Sequence, residues 1–148
     1  MSSGDVLVDD HVLLRILLDD EPVDLRPSGG VIATTGLWYH RLCRALANSS
    51  VSGALSRSLG SADPVLGARA VRAVTVLPEG ISCTSLRPLA WPMAQLLDQG
   101  ARLNLMSLEA LAAAEHLEAE ICLAEVDANP QLLEAASARG VPVRLIAA

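Results

Sequence analysis

Lysine and phenylalanine are absent from this chain of 148 residues, which contains only two tryptophans and one tyrosine. The core must therefore be built from Leu, Val, Ile and Ala. All 11 basic residues are arginines, and with the excess of Ala and Leu this indicates compositional bias rather than selection for phosphate binding. The net charge of −6 disfavours nucleic-acid binding unless a local arginine patch or bound cations intervene.

Charged residues are also scarce, at 19% of the chain, while hydrophobic residues make up 51%. The charged fraction is below the usual quarter of a globular domain, and the apolar content argues against a disordered chain. Such a composition predicts more apolar surface than one small core can hide. We therefore expect an oligomer.

Cysteine is rare, and Cys43, Cys83 and Cys122 lie far apart in apolar runs. Without a CxxC motif or a Cys/His cluster, structural zinc is not expected, and buried reduced thiols are typical of a reducing compartment. The polar, acidic start does not resemble a signal peptide, and no apolar run reaches the roughly 18 residues needed to span a bilayer. The sequence therefore predicts a cytoplasmic protein without a membrane span.

Short apolar runs alternate with amphipathic segments along the chain, and residues such as Thr35 and Asp63 can cap the helices. Strands alternating with helices are typical of a parallel sheet wrapped by helices. We expect one α/β domain over residues 1–148, with Trp38 and Trp91 as packing anchors. The predicted strands are residues 6–8, 31–34, 81–85, 121–124 and 141–146, and the predicted helices are residues 10–18, 36–47, 51–59, 63–73, 89–99, 107–117 and 130–139.

Acidic side chains follow three of these elements. Asp9 directly follows the first strand, Asp127 follows the fourth, and Glu109 is expected in the first turn of a helix capped by Ser107. Parallel strands end at one edge of the sheet, and open α/β sheets bind ligands beyond that edge, so we expect these acids to converge. Carboxylates gathered there suit a hard divalent cation such as Mg2+.

Each acid also has a structural interpretation. An acid at a helix N-terminus accepts bonds from free N–H groups and complements the dipole, which stabilises the helix by about 0.5–2 kcal/mol. Only one of Asp9 and Asp10 is needed for this purpose, so we assign Asp10 to the cap and Asp9 to the site. Asp127 is equally common as a turn residue, and Glu109 equally favourable as a charge near a helix start.

Three segments resemble the motifs of PIN-domain nucleases. Residues 6–14 read VLVDDHVLL and resemble the opening strand and first acid of that family, and residues 105–114 read LMSLEALAAA and resemble its Asp-Ala-Leu-x-x-Ala helix. Residues 121–127, ICLAEVD, followed by LLEAA at 132–136 and GVPV at 140–143, are similar to the last strand, last acid, helix and strand. The resemblance covers nearly the whole chain.

The resemblance implies a three-layer α/β/α sandwich in which three or four acids hold Mg2+ or Mn2+ to cleave RNA. It implies that Asp9 is the first catalytic metal ligand, that Glu109 replaces the family's Asp, and that Asp127 is the last ligand. A toxin-type endoribonuclease with an antitoxin partner is also implied, and so is a homodimer.

Two departures from the family pattern bear on activity. The family places a Glu in the helix after its second strand, where this chain has His40, which can bind Mn2+ but is a poor ligand for Mg2+. Where the family tends to have Thr, two residues before its last Asp, this chain has Glu125, a further candidate ligand. Arg41 and Arg44 form either a basic strip for RNA or a solvated helix face.

These departures leave alternatives to a metal-dependent endoribonuclease. One is a catalytically inactive PIN-like module for binding or dimerisation. Another is an α/β protein that binds a small ligand in the same crevice, with its acids only capping helices.

Overall fold

The computed structural model describes residues 4–27, 29–47 and 64–147. These residues form a five-stranded sheet and six α-helices, so the predicted α/β class is confirmed. In chain order the elements are β1 (Val6–Val8), α1 (Asp10–Leu17), β2 (Ile32–Thr34), α2 (Gly36–Ala47), α3 (Pro64–Thr75), β3 (Ile81–Cys83), α4 (Ala90–Asp98), α5 (Leu105–Leu117), β4 (Glu120–Ala124), a 3-10 helix (Glu125–Asp127), α6 (Pro130–Ala138) and β5 (Val143–Ile146).

All neighbouring strands of the sheet are parallel, in the order β3-β2-β1-β4-β5. The chain builds outwards from β1 through β2 to β3, and then returns to place β4 on the other side of β1. Val6 pairs with both Ile32 and Glu120, so β1 lies at the centre of the sheet. The neighbouring ends of β1 and β4 are therefore the topological switch point, where open α/β sheets have a ligand crevice.

Alternate side chains of the central strands bury the two faces of the sheet against separate layers of helices. Leu7, Ile121 and Leu123 belong to one apolar cluster with residues of α4, α5 and α6. Val8 and Cys122 belong to a second cluster with residues of α1, α2 and α3. The predicted three-layer arrangement with a central parallel sheet is confirmed.

Apart from the start of α5 and the 3-10 helix, which was not predicted, the predicted boundaries agree with the structure to within two residues for every element that the structure describes. β5 begins at Val143, since Pro142 has no N–H to donate to the ladder. Thr35 caps α2 as predicted, and its Oγ1 accepts a hydrogen bond from Trp38 N at 3.1 Å. The predicted helix at residues 51–59 lies outside the described residues.

The predicted start of α5 was wrong. Asn104, not Ser107, is the N-cap, because its Oδ1 accepts a hydrogen bond from Ser107 N at 2.8 Å and its backbone is extended. The helix therefore begins at Leu105, and Glu109 lies in the second turn rather than the first.

The two tryptophans differ in their environment. Trp38 is 3% exposed and packs in the core as predicted, whereas Trp91 is 73% exposed, so its assignment as a packing anchor was wrong. Met93 and Leu96 supply the buried face of α4 instead. No helix within the described ranges is both long and apolar enough to cross a membrane.

Candidate functional site

The carboxyl ends of β1 and β4 lie side by side, whereas the sequence had predicted only that they lie along the same edge of the sheet. Val8 pairs with Cys122, and the N–H of Asp9 donates to the carbonyl oxygen of Cys122 at 3.3 Å. α1 begins directly beyond β1, and the 3-10 helix begins directly beyond β4. The first residues of α1 and of the 3-10 helix therefore border one crevice at the switch point.

Asp9 is the N-cap of α1, which corrects the assignment of that role to Asp10. Its extended backbone is the conformation of a capping residue, and its Oδ1 accepts a hydrogen bond from Val12 N at 2.9 Å. Its Oδ2 accepts a hydrogen bond from Ala124 N at 3.0 Å, which joins the start of α1 to the end of β4. Burial raises the pKa of Asp9 to about 6, against the opposite effect of these two bonds. Because both oxygens are bound to the main chain of a fully buried site, Asp9 is poorly placed as a metal ligand.

Arg41 binds two acids at once, a role that the sequence had not indicated. Its Nε donates to Asp10 Oδ2 and its Nη2 to Asp10 Oδ1, both at 2.6 Å, and Nη2 also donates to Asp127. Asp10 is fully buried and Asp127 half-buried. Forked contacts of this kind between arginine and carboxylate are among the strongest ion pairs in proteins.

The charge of Arg41 is permanent in this setting. Burial lowers the pKa of its guanidinium, but the bonds to Asp10 and then to Asp127 raise it by more, so the pKa lies above its ordinary value. The buried carboxylate of Asp10 is thus neutralised by a group that stays protonated.

Asp10, His11 and Asp127 form a group that we call the ligand triad. Each offers one potential ligand atom, and these atoms lie within 4.8 Å of one another. Two carboxylates and an imidazole suit Mn2+ better than Mg2+. Asp9 and Glu109 lie outside this group in the described part of the chain, so Asp127 is the one predicted ligand that belongs to it.

Glu109 reaches the start of α2 instead. Its Oε1 accepts a hydrogen bond from Leu37 N at 2.8 Å, and its side chain is 1% exposed because the middle of α5 is buried on all sides. A carboxylate at a helix N-terminus satisfies a free N–H group and complements the dipole. Leu37 and Arg41 are one turn apart, so Glu109 contacts α2 about 6 Å along its axis from the residue that binds the acids.

Three further predicted residues do not contact the acids through any bond found among the described residues. His40, Arg44 and Glu125 are exposed. The residue of α2 that contacts the acids is Arg41, one position after His40. A buried Asp10 needs a positive partner, and in a chain without lysine the arginines of the neighbouring helix were the residues to consider.

A cavity of about 420 Å3 adjoins the ligand triad. It lies between α1 and the carboxyl ends of β4 and β5, and its walls include Val12, Leu14, Leu18 and Ile146. His11 lines this cavity and also belongs to the ligand triad, so the two features share this residue.

Comparison with known proteins found no match to the chain, either among protein-family models or among curated proteins. Its function must therefore be inferred from the chemistry of the crevice. A triad of oxygen and nitrogen ligands, one permanent cation and an apolar cavity are the groups that the switch point provides.

Proposed function

We propose that this chain is a PIN-like endoribonuclease that depends on Mn2+ or Mg2+ bound by Asp10, His11 and Asp127. The observation that carries the proposal is the approach of three ligand atoms to within 4.8 Å at the switch point of the sheet. The sequence resemblance supplies the reaction, which is hydrolysis of a phosphodiester in RNA. Asp127 keeps its predicted role, while Asp10 and His11 take the places first given to Asp9 and Glu109.

Arg41 governs entry of the cation. Its guanidinium bridges Asp10 and Asp127, so a divalent ion and Arg41 compete for the same oxygens. A divalent ion would neutralise both carboxylates, which now share a single positive charge. Arg41, once released, would be free to bind a phosphate of the RNA with the same forked geometry.

Asp9 and Glu109 act as positioning residues in this proposal. Asp9 fixes the start of α1 to the end of β4, and Glu109 fixes the start of α2 to α5. Asp10 and Arg41 are thereby held on rigid helices, as a precise site requires. A bound divalent cation would lower the pKa of a water molecule and offset the charge that develops on the phosphate.

The contacts of Arg41 also favour a second candidate, a catalytically inactive PIN-like module for binding or dimerisation. The guanidinium already neutralises Asp10, whose side chain has no exposure to solvent. Removing one partner of a buried ion pair typically costs about 3–5 kcal/mol, so an ion that replaces Arg41 must offset a comparable loss. If no ion replaces Arg41, the only role of Asp10 and Asp127 is to stabilise the fold.

A cleavage assay and a metal titration distinguish the two candidates. For the nuclease, Mn2+ should give RNA cleavage that a chelator stops and that Asp10→Asn abolishes. Asp98→Asn, at the exposed end of α4, is the matched control and should keep full activity. In calorimetry the wild type should bind Mn2+, and Arg41→Gln should bind it roughly tenfold more tightly because the competing cation is gone.

Two outcomes decide between the candidates. Equal cleavage by wild type and Asp10→Asn would refute the nuclease. A wild type that neither binds Mn2+ nor cleaves RNA in its presence would identify the inactive module.

A toxin role with an antitoxin partner is a further part of the proposal and rests on the resemblance alone. A homodimer rests on the resemblance and on the low charged fraction, and the exposure of Trp91, Leu97 and Leu105 supports it. Light scattering at rising concentration should report twice the monomer mass of 15.5 kDa. A constant monomer mass would remove the homodimer.

A further inference from the structure

The cavity beside the ligand triad has the size and the walls of a small-molecule site. Its volume of about 420 Å3 lies within the range of about 300–1,000 Å3 that is usual for ligand pockets. Val12 and Leu14 of α1 line it, together with Leu18 directly after that helix and Ile146 of β5. Such walls favour the burial of a flat, uncharged ring rather than of an anion.

The charged side chains at the cavity add selectivity. Arg15 is already paired at the cavity, because its Nε donates to Asp20 Oδ2 and its Nη1 donates to Ala147 O, both at 3.1 Å. Glu125 lines the same cavity and is exposed. A carboxylate at this place repels phosphate and accepts hydrogen bonds from amino groups, as acidic side chains do from the amino group of cytosine.

The position of the cavity connects it to the ligand triad. His11 lines the cavity and lies beside Asp10 and Asp127, so a ring held in the cavity would place its attached sugar and phosphate next to the triad. A nucleotide has this arrangement of a flat ring and a phosphate. The connection to cleavage rests on the proposed function, whereas binding of the ring itself does not.

We propose that this cavity binds one nucleobase of the RNA, and that it selects bases with an exocyclic amino group through Glu125. Adenine, cytosine and guanine carry such a group, whereas uracil carries only carbonyl oxygens. The cavity would thus set the base preference of the site, while the ligand triad holds the cation.

The test uses nucleosides without phosphate or metal, so that it is independent of cleavage. Saturation-transfer NMR and calorimetry on the full chain in a chelator should detect binding of adenosine and cytidine. Uridine should bind about fivefold or more weakly, since a hydrogen bond to a charged acceptor would be lost. Glu125→Leu should bring the three nucleosides to within about twofold of one another, and uridine should bind to it no less tightly than to the wild type.

A second variant tests the location. Ile146→Trp adds volume at the edge of the cavity and should abolish binding of all three nucleosides, while circular dichroism and a two-state melt check that the variant folds. Retained binding in folded Ile146→Trp would overturn the proposal. Equal affinity of the wild type for uridine and cytidine, or no saturable binding of any nucleoside, would overturn it too.

The remaining outcomes separate this proposal from others. Shifts of the cavity resonances on raising the protein concentration alone would assign the cavity to a second copy of the chain and overturn nucleobase binding. Nucleoside binding in a protein that never cleaves RNA would leave the cavity proposal standing and remove the nuclease. RNA cleavage without nucleoside binding would support the nuclease and overturn the cavity proposal.

Discussion

Two pairs of carboxylates lie at the same edge of the sheet but are held in different ways. Asp9 and Glu109 accept hydrogen bonds from main-chain N–H groups, whereas Asp10 and Asp127 share the side chain of Arg41. A main-chain amide cannot leave without disrupting a helix or strand, but a side chain can rotate away. Burial alone therefore does not identify a metal ligand, since the partner must also be exchangeable.

Removal of Arg41, the shared partner of Asp10 and Asp127, should have the largest effect on the free energy of unfolding. In Arg41→Ala, Asp10 stays buried without its counter-charge, and the free energy of unfolding should fall by about 2 kcal/mol in a chelator. This is below the usual cost of a broken buried pair, because the side chain of Arg41 is itself 34% exposed. Chemical denaturation measures the change, with the exposed Arg44→Ala as a control expected to differ from wild type by less than about 0.5 kcal/mol.

Repeating the denaturation of Arg41→Ala with Mn2+ tests whether a cation can take the place of Arg41. If the partner of Asp10 is exchangeable, millimolar Mn2+ should restore much of the stability of Arg41→Ala and little of that of a variant lacking Asp10 as well. Failure of Mn2+ to stabilise Arg41→Ala would break the distinction between the two pairs of acids.

Asp9 should make stability depend on pH in a way that Asp9→Asn lacks. Its folded pKa of about 6 is above the ordinary value of 3.8, so the folded protein keeps a proton that the unfolded chain has lost. This contribution is fully present below pH 3.8 and is lost as the pH rises through about 6. Between about pH 5 and pH 7.5 the metal-free wild type should lose about 1 kcal/mol more than Asp9→Asn.

Denaturation of both proteins at the two pH values measures this difference. The variant is the reference because it lacks the carboxyl group of Asp9 and keeps every other acid of the chain. Equal losses would mean that the pKa of Asp9 is ordinary and that burial does not act on it as described.

The smallest effect is expected for Glu109→Gln. The glutamine oxygen can still accept the hydrogen bond from Leu37 N, so only the attraction between the charge and the helix dipole is lost, about 0.5 kcal/mol. The affinity for Mn2+ should not change, as measured by calorimetry. A folded Glu109→Gln that no longer binds Mn2+ would return Glu109 to the set of ligands.

The fold could be predicted because its signals are local in the sequence. Short apolar runs, helix caps and turn residues such as Gly140 each depend on neighbours in the chain, and except at the start of α5 they gave the boundaries of the predicted elements within two residues. The common edge of β1 and β4 followed from the parallel sheet, but their adjacency was not predicted and is seen only in the structure. Trp91 shows the limit, since the sequence does not reveal which face of α4 stays uncovered.

The site was harder to predict, because its contacts depend on side-chain geometry between distant elements. Asp9 and Asp10 are consecutive, yet the first caps the helix and the second binds Arg41. His40 and Arg41 are also neighbours, and one step along a helix turns a side chain by about 100° around the axis. An error of one position therefore exchanges an exposed residue for one that reaches the crevice.

The bridge made by Arg41 has a consequence beyond catalysis. Because Arg41 supplies a positive charge to the buried carboxylate of Asp10, that carboxylate does not depend on a metal ion for its neutralisation. We therefore expect the protein to fold during manganese starvation, and its lifetime in a cell not to vary with the supply of that metal.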